Sequence, residues 1–231
     1  MFYMSNFLTF SSLDLVLCCY IMFSLLFTVL LSSQKLFCYP SLLNSSIKVT
    51  LFVLLLVSVM PNGLAYSISL TAFGGSLCVD SAVLTFKVLM LIASIAVLFI
   101  SQGYPFKGSS YEIDNLLCCS VYALLILVSA NDFLILYLAI ELQSLVFYSL
   151  VSINSTREAS IEAGIKYFVV GALSSCLLLF GITLVYAGNG SLSFDSLVIL
   201  SRSATMTLDS LGLIFIISSI LFKLGMAPFH M

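Results

Sequence analysis

The stretch Phe133-Leu-Ile-Leu-Tyr-Leu-Ala-Ile-Glu-Leu-Gln-Ser-Leu-Val-Phe-Tyr148 decides how this chain folds. It is apolar enough to lie inside a membrane, yet it carries a carboxylate, Glu141, in its interior. A helical rise of ~1.5 Å per residue puts Glu141 ~15 Å from the polar Asn131-Asp132 turn, near the middle of a ~30 Å hydrocarbon layer. A charge at that depth costs roughly 3 kcal/mol or more. Glu141 is therefore expected on an ion or proton path, facing protein or water rather than lipid.

The rest of the chain agrees with that setting. Of 231 residues, 61% are hydrophobic and 8% charged, and the mean hydropathy is +1.22. A soluble domain of this composition would have no polar shell, so the chain is read as an integral membrane protein. A net charge of −2 gives no reason to expect a nucleic-acid partner; membrane lipids are the surroundings. Trp is absent, which leaves Tyr and Phe to form any interfacial belt. The seven cysteines follow no metal or redox spacing and are read as small packing residues. No Lys or Arg precedes the first apolar run and Asp14 stands near its start, so no cleaved signal peptide is expected.

Spanning helices are expected at about 13–31, 47–66, 81–101, 114–130, 132–152, 159–187 and 209–227, the second weakened by Pro61 and Gly63. The fold class is all-α, a polytopic transmembrane bundle whose last helix is broken. The connector from Gly188 to Thr207 is mildly amphipathic and suits the membrane surface. Lys35, Lys48, Lys107 and Arg157 follow the odd-numbered spans, which puts those loops inside and the N-terminus outside.

Glu141 shares a helix face with Tyr137, Ser144 and Tyr148, a polar stripe of the kind a hydrated path needs. A carboxylate serving only to bind a neighbouring helix could be replaced by Ser, Thr, Asn or Gln at lower desolvation cost. Lys166 lies about two turns into the sixth span with Glu162 four residues before it, the favourable order for a local ion pair. Spacing leaves Lys166 open between a paired, snorkelling lysine and a member of a proton relay. Gly164, Gly171 and Ser175 form a small-residue stripe, read as packing. Lys223 lies ~20 Å from Asp209 by helical rise, and Pro228 should break the helix just beyond it. A lysine beside a broken membrane helix is the pattern of an intramembrane ion site. Asp14, Asp80, Lys87 and Asp132 stand near helix ends and are read as solvated or capping. His230 has no assignable role. No Gly-rich phosphate loop, Ser/His/Asp set or His/Cys cluster is present, so no metal, nucleotide, flavin or iron–sulfur site is expected on this chain.

Three segments carry a resemblance: Ser129–Leu145 with its Ile140-Glu-Leu-Gln-Ser core, Arg157–Ser175, and Leu221-Phe-Lys-Leu-Gly-Met-Ala-Pro-Phe-His-Met231. They resemble the fifth-, sixth- and seventh-helix segments of subunit 2 of respiratory complex I, the proton-pumping NADH:ubiquinone oxidoreductase. The resemblance covers about 115–231; the earlier part matches only as three hydrophobic spans. It implies three N-terminal helices over 1–112 and the first part of an antiporter-like proton-channel bundle over 113–231. Glu141 and Lys223 would form the charge pair of a proton path, and Lys166 matches a sixth-helix lysine typical of the subunit. NADH, FMN, iron–sulfur clusters and ubiquinone would be bound elsewhere in the complex. The location implied is the mitochondrial inner membrane, with other membrane-arm subunits as partners. Relatives continue with a second inverted half, so the chain is read as one fragment of a split subunit whose other half a second chain carries, with a truncated sequence as the alternative. The rival readings are a subunit of a multi-subunit sodium/proton antiporter and a non-pumping scaffold.

Overall fold

A computed structural model of the chain describes residues 14, 16–26, 70–101, 110–154, 157–200 and 207–227. Helix α1 is Val16–Leu26. Two short strands, β1 (Leu70–Ala72) and β2 (Leu77–Val79), flank a 3-10 turn at Phe73–Gly75. There follow α2 (Ser81–Ser101), α3 (Ser110–Ser129), α4 (Phe133–Val151), α5 (Glu158–Asn189), α6 (Phe194–Leu200) and α7 (Thr207–Leu224). Among the described residues α2, α3, α4 and α5 are long and apolar enough to cross a membrane. They fall where spans are expected. The expected span at 47–66 lies outside the described residues, as do Lys35, Lys48 and Lys107. The strands stand in what the sequence presents as a plain connector, and α6 occupies the amphipathic one.

The chain divides into two compact units at Ser129/Ala130, with Gly75–Leu77 belonging to the second. In the first, Leu17 and Ile21 of α1 pack with Leu91 and Leu98 of α2 and with Cys118, Val121 and Leu125 of α3. Phe86, Ile92, Phe99 and Ile100 are exposed, as a lipid-facing surface requires. Two sequence expectations fail here. Asp14 and Lys87 are not solvated: Lys87 Nζ meets Asp14 Oδ2 at 2.8 Å, with side chains 4% and 15% exposed. Each is near a helix end in sequence, but the packing of α1 on α2 covers both. Asp80 does keep the expected place, exposed and accepting the Leu84 N–H at 3.1 Å through its carbonyl.

In the second unit α5 packs against both α4 and α7. Lipid offers no hydrophobic drive between helices, so close backbone approach must supply the contact. Gly181 of α5 and Gly212 of α7 provide it: a Cβ on either would come within 2.8 Å of the other's carbonyl oxygen. The neighbouring layer is Leu178, Ile182, Val185 and Ile216, with Phe180 edge-on to Phe215 at 5.2 Å. At the other contact, Gly164 lies against Ser152, and Ser160 Oγ donates to Val151 O at 2.7 Å. α5 has 32 residues, about 48 Å of helix against a hydrocarbon layer of about 30 Å. Gly164, the seventh residue of α5, already faces Ser152 at the C-cap of α4.

Asn131 fixes the opposite end of this unit. Its Nδ2 donates to Gly75 O at 2.9 Å and to Asp195 Oδ2 at 3.4 Å, while its backbone N–H donates to Ser76 O at 2.9 Å. Phe133 N–H donates to Leu192 O and Phe194 N–H to Asn131 O, so the start of α4 and the entry to α6 are laced together. Asp132 occupies the N-cap backbone position of α4 without a side-chain capping bond. Burial raises its carboxyl above the ordinary 3.8. The capping role expected of it is not filled by its side chain.

Candidate functional site

α4 is held as a helix by its long apolar residues and by the Asn131 junction that fixes its first turn. Glu141 is the ninth of its 19 residues, ~12 Å of rise from Phe133. Ser144 Oγ donates to Glu141 O at 2.9 Å and lies 3.4 Å from Glu141 Oε2. The buried Tyr148 lies one turn beyond Ser144 on the same face, its hydroxyl over Gly171 of α5. Tyr137, on the same face one turn before Glu141, packs against the Leu178, Ile182, Val185 and Ile216 layer. Polar side chains thus stand on both sides of Glu141 along α4, Tyr137 one turn before it and Ser144 and Tyr148 after it.

Lys223 comes to Glu141 from α7. The two side chains, 18% and 26% exposed, meet with Nζ 3.5 Å from Oε2. Lys223 stands in the last turn of α7, where the unsatisfied carbonyls of a helix C-terminus favour a cation. The helix ends at Leu224 in a Schellman motif: Gly225 takes φ 63°, its N–H donates to Phe222 O, and Met226 N–H donates to Leu221 O. Only glycine takes that backbone conformation without strain. The described helix thus stops before Pro228, which lies outside the described residues.

Lys166 is elsewhere. It pairs with Glu162 at 2.6 Å on an exposed face, with side chains 74% and 67% exposed. Its neighbour Tyr167 touches the Tyr148 ring at 4.9 Å. Tyr148 is seven residues from Glu141, about 10 Å of helical rise. The structure therefore unites Glu141, Ser144 and Lys223, seats Tyr148 against α5, and leaves the Glu162–Lys166 pair at the start of α5. Sequence reasoning missed Ser219, fully buried one turn before Lys223, and Ser174 beside Ser175 on α5. All three hydroxyls donate to carbonyls of their own helices. The i−4 spacing from Lys223 to Ser219 was the available signal.

This geometry places an acid–lysine pair between α4, a helix long and apolar enough to cross a membrane, and α7, with the Ser144 hydroxyl beside the carboxylate. Residues 130–231 match the family NADH:quinone oxidoreductase/Mrp antiporter, transmembrane. The chain is homologous to subunit N of bacterial NADH-quinone oxidoreductase. It is 39% identical to subunit N 1 of Rhizobium meliloti over 163 residues, 69% of this chain and 34% of that protein. It is 41% identical to subunit N of Methylobacterium nodulans over 165 residues, 70% of this chain and 34% of that protein. The chain thus spans about a third of the length of these relatives. A chain from the structure of respiratory complex I from Thermus thermophilus with bound aureothin superposes with TM-score 0.73 and 22% identity. That match covers 94% of this chain and 45% of the other. The membrane-bound sulfane sulfur reductase, an archaeal respiratory membrane complex, gives TM-score 0.75 and 21% identity over the same shares. Both likenesses are of fold, and the fold is an antiporter-like transmembrane helical bundle.

Proposed function

We propose that this chain is a membrane-arm part of proton-pumping NADH:quinone oxidoreductase and carries one proton path. The observation that supports this reading is the Glu141–Lys223 pair, 3.5 Å apart between the middle of α4 and the end of α7. An opposite charge stabilises an ammonium. Lengthening or closing the pair therefore switches Lys223 between giving up and holding a proton, and a conformational change elsewhere in the complex can drive that switch. Lys166, held by Glu162 at the exposed start of α5, is assigned to the potential at that end of the path. Residues 113–231 supply the first part of the channel bundle and 1–112 the helices that precede it.

The finer reading is subunit 2 of the mitochondrial enzyme, an NADH:ubiquinone reductase, in the inner membrane and surrounded by other membrane-arm subunits. The Ile140-Glu-Leu-Gln-Ser wording and Lys166 support it. NADH, FMN, iron–sulfur clusters and ubiquinone are assigned to other subunits. The test is the proton-to-electron ratio of reconstituted complex. Glu141→Gln and Lys223→Ala should each lower it or the coupled turnover while the complex still assembles, and wild-type values for both would refute the assignment.

The matched family also covers Mrp antiporters, which favours a stand-alone sodium/proton antiporter as the second reading. Growth that depends on external sodium and ignores quinone-site inhibitors would select it.

A further inference from the structure

Two donors converge on one oxygen. Lys223 Nζ stands 3.5 Å from Glu141 Oε2, and Ser144 Oγ stands 3.4 Å from the same atom. A well-made contact of either kind is about 2.7–3.0 Å long, so neither donor is closed onto the carboxylate. Ser144 Oγ has its short bond elsewhere, donating to Glu141 O at 2.9 Å. A hydroxyl carries a single proton. That of Ser144 is parked on the backbone, and a turn of its own side chain brings it onto Oε2 without moving either helix. Ser144 is 8% exposed, so bulk water has little access to supply a donor in its place. Ser149, Ser174, Ser175 and Ser219 also donate to carbonyls of their own helices, a common habit of helical serines. Ser144 adds to that habit a carboxylate within reach of the same hydroxyl.

We infer that Ser144 is the positioning residue of the Glu141–Lys223 pair, the donor that takes over Glu141 Oε2 when Lys223 withdraws. This rests on the proton path proposed above and adds how the open state of its charge pair is held. Separating an acid from its cation in surroundings of low dielectric is costly, because the carboxylate is left unpaired. A hydroxyl bonded to a carboxylate is charge-assisted and stronger than the hydroxyl-to-carbonyl bond it gives up. The exchange therefore offsets part of the cost of separation, and the hydroxyl returns to Glu141 O when Lys223 closes again. The other hydroxyls on this face are engaged elsewhere, Tyr137 against the Leu178 layer and Tyr148 over Gly171. Ser144 takes up and releases no proton of its own. It acts through Glu141, setting how easily the pair opens.

The experiment uses the assembled complex in proteoliposomes, reading coupled turnover beside the redox-difference infrared spectrum. The Glu141 carboxylate band is identified there by its loss in Glu141→Gln. Ser144→Ala should slow coupled turnover about tenfold, the size expected of one hydrogen bond to a charged group, and should shift that band. Ser144→Thr keeps the hydroxyl and should restore both. A packing role predicts the opposite order at this buried position, because Ala fits and the extra methyl of Thr does not. Ser149→Ala, whose hydroxyl donates to Val146 O, should match wild type. Wild-type turnover and an unshifted band in Ser144→Ala, with Glu141→Gln impaired, overturn the role of Ser144 and leave the charge pair standing. Wild-type turnover in both overturns the proton path with it. If Ser144→Ala does not assemble, Ser144→Cys decides, since its thiol is only a weak donor: slowed turnover supports the exchange and wild-type turnover overturns it.

Discussion

The two units each bury a lysine against a carboxylate, and the pairs are built differently. In the first, Asp14 and Lys87 are 2.8 Å apart and almost sealed, at 15% and 4% exposure. In the second, Glu141 and Lys223 stand at 3.5 Å, at 26% and 18% exposure, with Ser144 against the same carboxylate oxygen. A short, enclosed pair has one favourable state, because separating it strands a charge in low dielectric. A longer pair with a hydroxyl neighbour and a helix end beside it can exchange partners at lower cost. Tightness marks the fastener, and slack marks the switch.

That contrast breaks first at Asp14. Asp14→Ala withdraws the carboxylate from a buried ammonium and should cost about 3–5 kcal/mol, seen as loss of assembled complex on native gels. The double variant Asp14→Leu/Lys87→Met should recover assembly, and failure to do so would remove the pair's role as fastener. Gly181→Ala comes next: its Cβ would meet the Gly212 carbonyl and the backbone of Ile216, which cannot rotate away. About 1–3 kcal/mol of overpacking should follow, read as faster thermal inactivation. Glu141→Gln should disturb assembly less than either while lowering the proton-to-electron ratio, and equal loss of assembly in Glu141→Gln and Asp14→Ala would erase the distinction. Lys166→Ala is the mildest. An ion pair as exposed as Glu162–Lys166 contributes little to stability, so the complex should assemble normally with a smaller change in pumping than Lys223→Ala gives.

The sequence made α2, α3, α4 and α5 legible within a few residues, because an apolar run of membrane length leaves the backbone no alternative to helix. It also made Glu141 legible, since a lone carboxylate in such a run is costly wherever the neighbours lie. Lys87 was misread for the complementary reason. Near a helix end a lysine can be wet or covered, and only the packing of α1 decides which. Gly171 was read as packing and does pack against α4, but spacing could not say that it admits a tyrosine hydroxyl rather than another backbone.

By itself, then, the order of residues determined the membrane setting, the helix positions and the charges that had to be sheltered, all of which follow from the energy of single groups in lipid. Tertiary structure decided the partners. It placed Lys223 at the Gly225-capped end of α7 against Glu141 and kept Lys166 away on its own helix with Glu162. It also set Ser144 against the same Glu141 oxygen and seated the Tyr148 hydroxyl over Gly171. Pairing depends on distances between helices far apart in sequence, and spacing along one helix cannot supply them.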